Sequence, residues 1–85
     1  MPNRALDWFR QALRDLDQAD ESRRTGRHEW ACFAAEQAAE KAVKALHLHL
    51  GQEAWGHFEH YGPLQSDEAL RYAREIIEFA RSQMA

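Results

Sequence analysis

The sequence predicts an all-α protein, an up-down bundle of three main helices with a short turn or helix before the last. The 85 residues include 15 alanines and 8 leucines but only four β-branched residues, whereas strands are rich in β-branched and aromatic side chains. Four glycines and two prolines leave few places to turn. The length fits a single domain, residues 1–85.

The first helix is predicted from residue 2 or 3 to Arg24. Asn3 is a plausible N-cap, and Gly26 follows the last turn, where glycine commonly ends a helix. An apolar stripe with a spacing of three to four residues supports the assignment. The stripe consists of Leu6, Phe9, Leu13 and Leu16, with Ala5, Ala12 and Ala19 beside it.

The second helix is predicted from Arg27 or His28 to Leu50, with Gly51 closing it. It has two apolar sides. One is bulky and includes Trp30 and Phe33; the other consists of alanines. Apolar surface around more than half of the circumference indicates burial by more than one neighbour.

Residues 52–65 are the irregular region. One helical turn over residues 53–60 is compatible with the sequence, and Gly62-Pro63 must break it. Ser66 then caps a third helix, whose apolar stripe reaches Met84.

Composition excludes several classes. A net charge of −3 argues against a nucleic-acid binder held by general positive charge. No apolar run is long enough to span a membrane, and the N-terminus lacks a signal-peptide core. Cys32 is the single cysteine, so we expect a reducing, cytoplasmic location without disulfides.

We hypothesise a homodimer, because three helices with few bulky apolar residues form a marginal core. The second copy is expected to cover the alanine side of the second helix. The predicted interface residues are Phe9, Leu13, Ala31, Ala35, Ala38 and Ala42.

Residues 26–46 read GRHEWACFAAEQAAEKAVKAL. This segment resembles the second helix of the HEPN family of small helical domains, whose signature is close to A-x-F-x-A-x-Q-A-A-E-K-A-x-K-A. Trp55-Gly56-His57 resembles the turn that follows it, and residues 66–81 resemble the last helix of the family. Family members usually carry one or two further helices before the last, so this chain looks like an internally shortened copy.

The resemblance implies a helical dimer associated with nucleotides or RNA, often encoded beside a minimal nucleotidyltransferase in a toxin–antitoxin pair. Toxic members are metal-independent ribonucleases with an Arg-x4–6-His motif late in the domain. Here only Arg23 and His28 have that spacing, and they lie in the first hairpin turn. We therefore expect no catalytic residues and a dimer that binds a nucleotidyltransferase partner or a nucleotide or RNA ligand. The alternatives are a ribonuclease toxin and a purely structural dimeric adaptor.

Basic side chains are the candidates for ligand binding, because phosphate recognition needs converging charge-assisted donors. The predicted ligand-binding residues are Lys41, Lys44, His47, His57 and Arg27. The alternative is that Lys41 and Lys44 pair with carboxylates of their own or a partner helix.

Four histidines between residues 47 and 60 raise the question of a metal. His47 and His49 are two residues apart, so on a helix they point in different directions. We therefore predict no metal site and no cofactor.

Trp30 is assigned to packing and Trp55 to packing against the last helix, since tryptophans in small helical domains are more often core or interface anchors than base-stacking platforms. Cys32 is interpreted as a small hydrophobic residue.

Overall fold

The computed structural model describes residues 3–51 and 66–85 and shows three helices in this part of the chain. They are α1 (Arg4–Arg24), α2 (His28–His49) and α3 (Ser66–Met84). No strand occurs in the described ranges, and the all-α prediction is confirmed. The turn expected over residues 53–60, with Trp55, His57 and His60, lies outside the described residues.

The ends of α1 follow local sequence signals. Asn3 Oδ1 accepts a hydrogen bond of 3.1 Å from the Leu6 backbone N–H, which confirms the predicted N-cap. At the other end, Gly26 adopts φ +80°, a conformation that side chains disfavour. The Arg27 N–H then bonds to the Ser22 carbonyl at 2.8 Å, and the Gly26 N–H bonds to the Arg23 carbonyl at 3.1 Å. This is a Schellman motif, and it turns the chain directly into α2.

The core lies along α2, which packs against α1 on one side and α3 on the other. Alanine dominates this core. Of the described buried apolar residues, only Phe9, Leu70 and Ile77 are larger than alanine. Leu70 and Ile77 are both 1% exposed, so α3 supplies the bulky, fully buried side chains.

The predicted dimer interface is wrong for its alanines, because the chain itself covers them. Ala31, Ala35, Ala38 and Ala42 are at most 1% exposed. Phe9 is also buried, and Leu13 is half-buried against the same core. Small side chains allow α1 and α3 to approach α2 closely on adjacent sides, so the alanine side has no surface left for a second copy.

Among the residues that the structure describes, no helix is both long and apolar enough to cross a membrane.

A candidate interaction site on the outer face of α2

Two large aromatic side chains lie exposed on the first half of α2. Trp30 is 65% exposed and Phe33 is 52% exposed. Their ring centroids are 6.3 Å apart with an interplanar angle of 87°, an edge-to-face contact. We call this pair the aromatic ridge. Trp30, which the sequence assigns to packing as a core or interface anchor, is not packed within this chain. The helices α1 and α3 cover the alanine side of α2 and leave the side of Trp30 open.

A groove runs along each side of the aromatic ridge. The groove next to α1 has a volume of ≈ 340 Å³, and its lining includes Arg27, Gln18 and Gln37 besides the two aromatic rings. The groove towards the start of α3 has a volume of ≈ 590 Å³ and combines Phe33 and Cys32 with polar groups such as Glu36. An apolar centre with a polar rim of both charge signs is the usual anatomy of a protein–protein interface.

The hairpin between α1 and α2 is joined to the start of α3 by polar contacts. His28 Nδ1 and Ser66 Oγ share a hydrogen bond of 2.8 Å. Arg23 Nη2 lies 3.7 Å from Asp67 Oδ2. Arg23 and His28 are the one pair with the family's ribonuclease spacing, and the structure engages both in contacts that position α3.

The predicted ligand-binding lysines contact α1. Lys41 Nζ lies 2.7 Å from Asp15 Oδ2, and Lys44 Nζ lies 4.2 Å from the centroid of the Trp8 ring, a cation–π contact. The Lys41–Asp15 contact corresponds to the alternative in which a lysine pairs with a carboxylate of a partner helix, whereas the contact of Lys44 is with an aromatic ring.

The remaining predicted ligand-binding residues do not form one cluster with the lysines. Arg27 is the N-cap of α2 and lines the groove beside Trp30. It precedes Lys41 by 14 residues, about 21 Å along a helix. His47 is half-buried in the last turn of α2, and His57 lies outside the described residues. In residues 3–51 and 66–85, no group of three or more potential metal ligands occurs.

Cys32 lies on the border between the buried and the open side of α2. It is half-buried and packs against the core. Burial, and secondly the negative charge of Glu36, raise the pKa of its thiol. The neutral thiol is a poor nucleophile, in agreement with its interpretation as a small hydrophobic residue.

A third groove, which is polar, lies between α1 and α2. Its volume is ≈ 410 Å³, and its lining residues are Asp7, Arg10, Gln11, Arg14, Asp15 and Lys41. We call it the polar groove. Arg10 and Arg14 are exposed residues of α1 that are absent from the predicted ligand-binding residues. Their spacing of four residues, which puts both side chains on one helix face, is the sequence signal for this groove.

Three packed helices in the described residues, with no strand among them, define a small all-α domain. The HEPN domain profile matches residues 5–61, which is more than half of the chain, and the chain belongs to the HEPN domain family.

Solved structures agree with this assignment. TT1696 from Thermus thermophilus is 32% identical to this chain with a TM-score of 0.82, and the alignment covers 96% of this chain and 99% of that one. ST0689, described as an archaeal HEPN homologue, is 25% identical with a TM-score of 0.82, and the alignment covers 95% and 98% of the two chains. Both have nearly the length of this chain. No curated protein sequence matches the chain.

Proposed function

We propose that this HEPN domain is a non-catalytic binding module that forms a homodimer through the aromatic ridge and, as a dimer, binds a small nucleotidyltransferase in a toxin–antitoxin module. HEPN proteins are often dimeric. The observation that carries the proposal is the exposure of Trp30 and Phe33 on one helix face, with a groove on either side.

The size of the ridge supports a protein partner. Aromatic side chains bury on the order of 150–250 Å² each when they are fully covered. Because Trp30 is 65% and Phe33 52% exposed, their exposed parts together offer roughly a quarter to a third of the ~800 Å² that each partner contributes to a standard interface. Tryptophan is also among the residue types that most often dominate binding energy at the centre of an interface.

A second copy suits this surface because the rim carries both charge signs. Arg27 lies at one end of the ridge, and Glu29 and Glu36 line the groove on the other side. In a two-fold dimer the same patch meets itself, so an apolar centre with mixed charges around it is self-complementary. The alanine-rich core gives a further reason, since it provides little apolar burial for a domain of this size.

The dimer is tested by sedimentation velocity on the double variant Trp30→Ala/Phe33→Ala at micromolar concentration. We expect the wild-type protein to sediment as a dimer and the variant as a folded monomer, with helical content checked by circular dichroism. Phe79→Ala is the matched control, because Phe79 is 58% exposed on α3, and it should remain dimeric. A monomeric wild type, or a double variant that still dimerises, contradicts the proposal.

The binding and non-catalytic parts of the proposal have separate tests. The proposal expects a small nucleotidyltransferase to be encoded beside this gene, and that protein should co-elute with the wild-type protein in gel filtration. Incubation with tRNA in the absence of metal should leave the RNA intact, since Arg23 and His28 contact the start of α3. Cleavage that is lost in both His28→Ala and His57→Ala would instead establish the ribonuclease alternative.

A further inference from the structure

The polar groove contains an excess of unpaired positive charge. Among residues 3–51 and 66–85, neither Arg10 nor Arg14 makes an ion pair or a side-chain hydrogen bond. Lys41 and Asp15, at 2.7 Å, neutralise each other on the α2 side of the groove. The other charged lining residues are Arg10, Arg14 and Asp7, so the lining carries a net charge of one positive unit.

The two arginines are positioned to act together. Both belong to α1 and are separated by one helical turn, which places their Cβ atoms about 5–6 Å apart on one face. Gln11 lines the same groove and adds an amide donor. The Lys41–Asp15 pair joins α2 to α1 at the other side of the groove, so the arginines lie over a concave polar surface.

Guanidinium groups recognise tetrahedral oxyanions well, because each presents a planar fork of N–H donors that suits two phosphate oxygens. Two such forks on one helix face, over a concave surface, suit a ligand with several negatively charged oxygens. We propose that the polar groove is a binding site for a phosphate group, held by Arg10 and Arg14 with Gln11 as an additional donor. Asp15 lines both the polar groove and the groove next to α1 beside the aromatic ridge, but Arg10, Arg14 and Gln11 line only the polar groove. The proposed site therefore does not require a dimer formed through the aromatic ridge.

The negative charge of Asp7 in the polar groove provides a specific test of the proposed phosphate site. Its carboxylate lines the same groove and would repel a bound phosphate. Removing this charge should therefore strengthen binding, whereas loss of a purely structural residue would not. The direction of this effect separates a specific site from damage to the fold.

The test is isothermal titration calorimetry with inorganic pyrophosphate as the probe, at low ionic strength. Because the double substitution removes both guanidinium groups that would bind the phosphate, Arg10→Gln/Arg14→Gln should weaken binding by about tenfold or more. Asp7→Asn should bind pyrophosphate several-fold more tightly than wild type. The control Arg71→Gln/Arg81→Gln removes two positive charges from exposed positions of α3 and should leave the affinity nearly unchanged.

Equal weakening of pyrophosphate binding in the α1 and α3 double variants would show attraction by overall charge and would overturn the proposal. No binding by the wild type, or no tightening in Asp7→Asn, would overturn it as well.

A parallel titration with a 5′-phosphorylated RNA oligonucleotide identifies the source of the phosphate. Tighter binding than pyrophosphate that depends on both arginines supports a polynucleotide, and equal binding supports a free phosphate compound. Sedimentation of the Arg10→Gln/Arg14→Gln variant should match wild type, so a failure of this site and a failure of the proposed dimer give different results.

Discussion

The two sides of α2 contrast in a way that its composition does not suggest. The side built from alanines is sealed inside the chain, with Ala38 and Ala42 both at 0% exposure. The side with the largest side chains is open, with Trp30 at 65% exposure. The usual relation between side-chain size and burial is inverted along the first half of this helix.

Small residues therefore indicate close helix packing, but they do not indicate whether the neighbouring helix belongs to the same chain or to another molecule. Alanine lets two backbones approach, and here both neighbours come from the same chain. A large aromatic side chain needs more space than such a closely packed seam provides. It therefore lies on the face that the bundle leaves open, where another molecule can cover it.

The largest expected effect on the free energy of unfolding comes from replacing a bulky core residue. Ile77 is 1% exposed, and Ile77→Ala removes one of the few large buried side chains. We expect the free energy of unfolding to fall by about 2–5 kcal/mol. Phe79→Ala on the same helix should change it by less than about 0.5 kcal/mol, because the Phe79 ring is 58% exposed. Urea titrations of both variants measure the difference, and equal losses would break the contrast between inner and outer faces.

A second effect follows from overfilling the alanine side. Ala38→Leu adds three carbon atoms at a position with no exposed surface. The helices must then move apart, at a cost of about 1–3 kcal/mol. Thermal melts should show a lower Tm, whereas Arg71→Leu, at an exposed position of α3, should leave the Tm almost unchanged. An unchanged Tm for Ala38→Leu would mean that this side is loosely packed.

The smallest expected effect is on the reactivity of the Cys32 thiol, which lies at the border between the two sides of α2. Burial raises the pKa of its thiol, so at pH 8 the folded protein contains less thiolate than the unfolded chain. Alkylation by iodoacetamide should therefore be several-fold slower in the native protein than in urea. The rate in the native protein should also rise at higher pH than in the unfolded chain. Equal rates in the two states would place Cys32 on the open side of α2.

Helix positions were predictable because local residues determine them. Asn3 caps α1, and Gly26 ends it with a positive φ angle, as their residue types predict. The family was also predictable, because residues 26–46 match the HEPN signature. The surroundings of Trp30 were not, because an apolar stripe shows that a face avoids water without showing whether its own chain covers it.

The site residues were harder to predict for a related reason. Lys41 and Lys44 have the spacing of a basic ridge, but their partners Asp15 and Trp8 lie on α1, more than 25 residues earlier in the chain. Contacts between helices of this kind depend on the rotation of each helix about its axis. Sequence spacing along one helix does not contain that information.

The three-residue connection between α1 and α2 also bears on how the chain folds. Residues 25–27 reverse its direction, so the two helices that form the larger seam are neighbours along the sequence. Contacts between such neighbours require little loop closure, and topologies dominated by them fold fast. We expect the α1–α2 hairpin to assemble first, with α3 docking afterwards, so that a chain emerging from the ribosome can begin to order before its last third is synthesised.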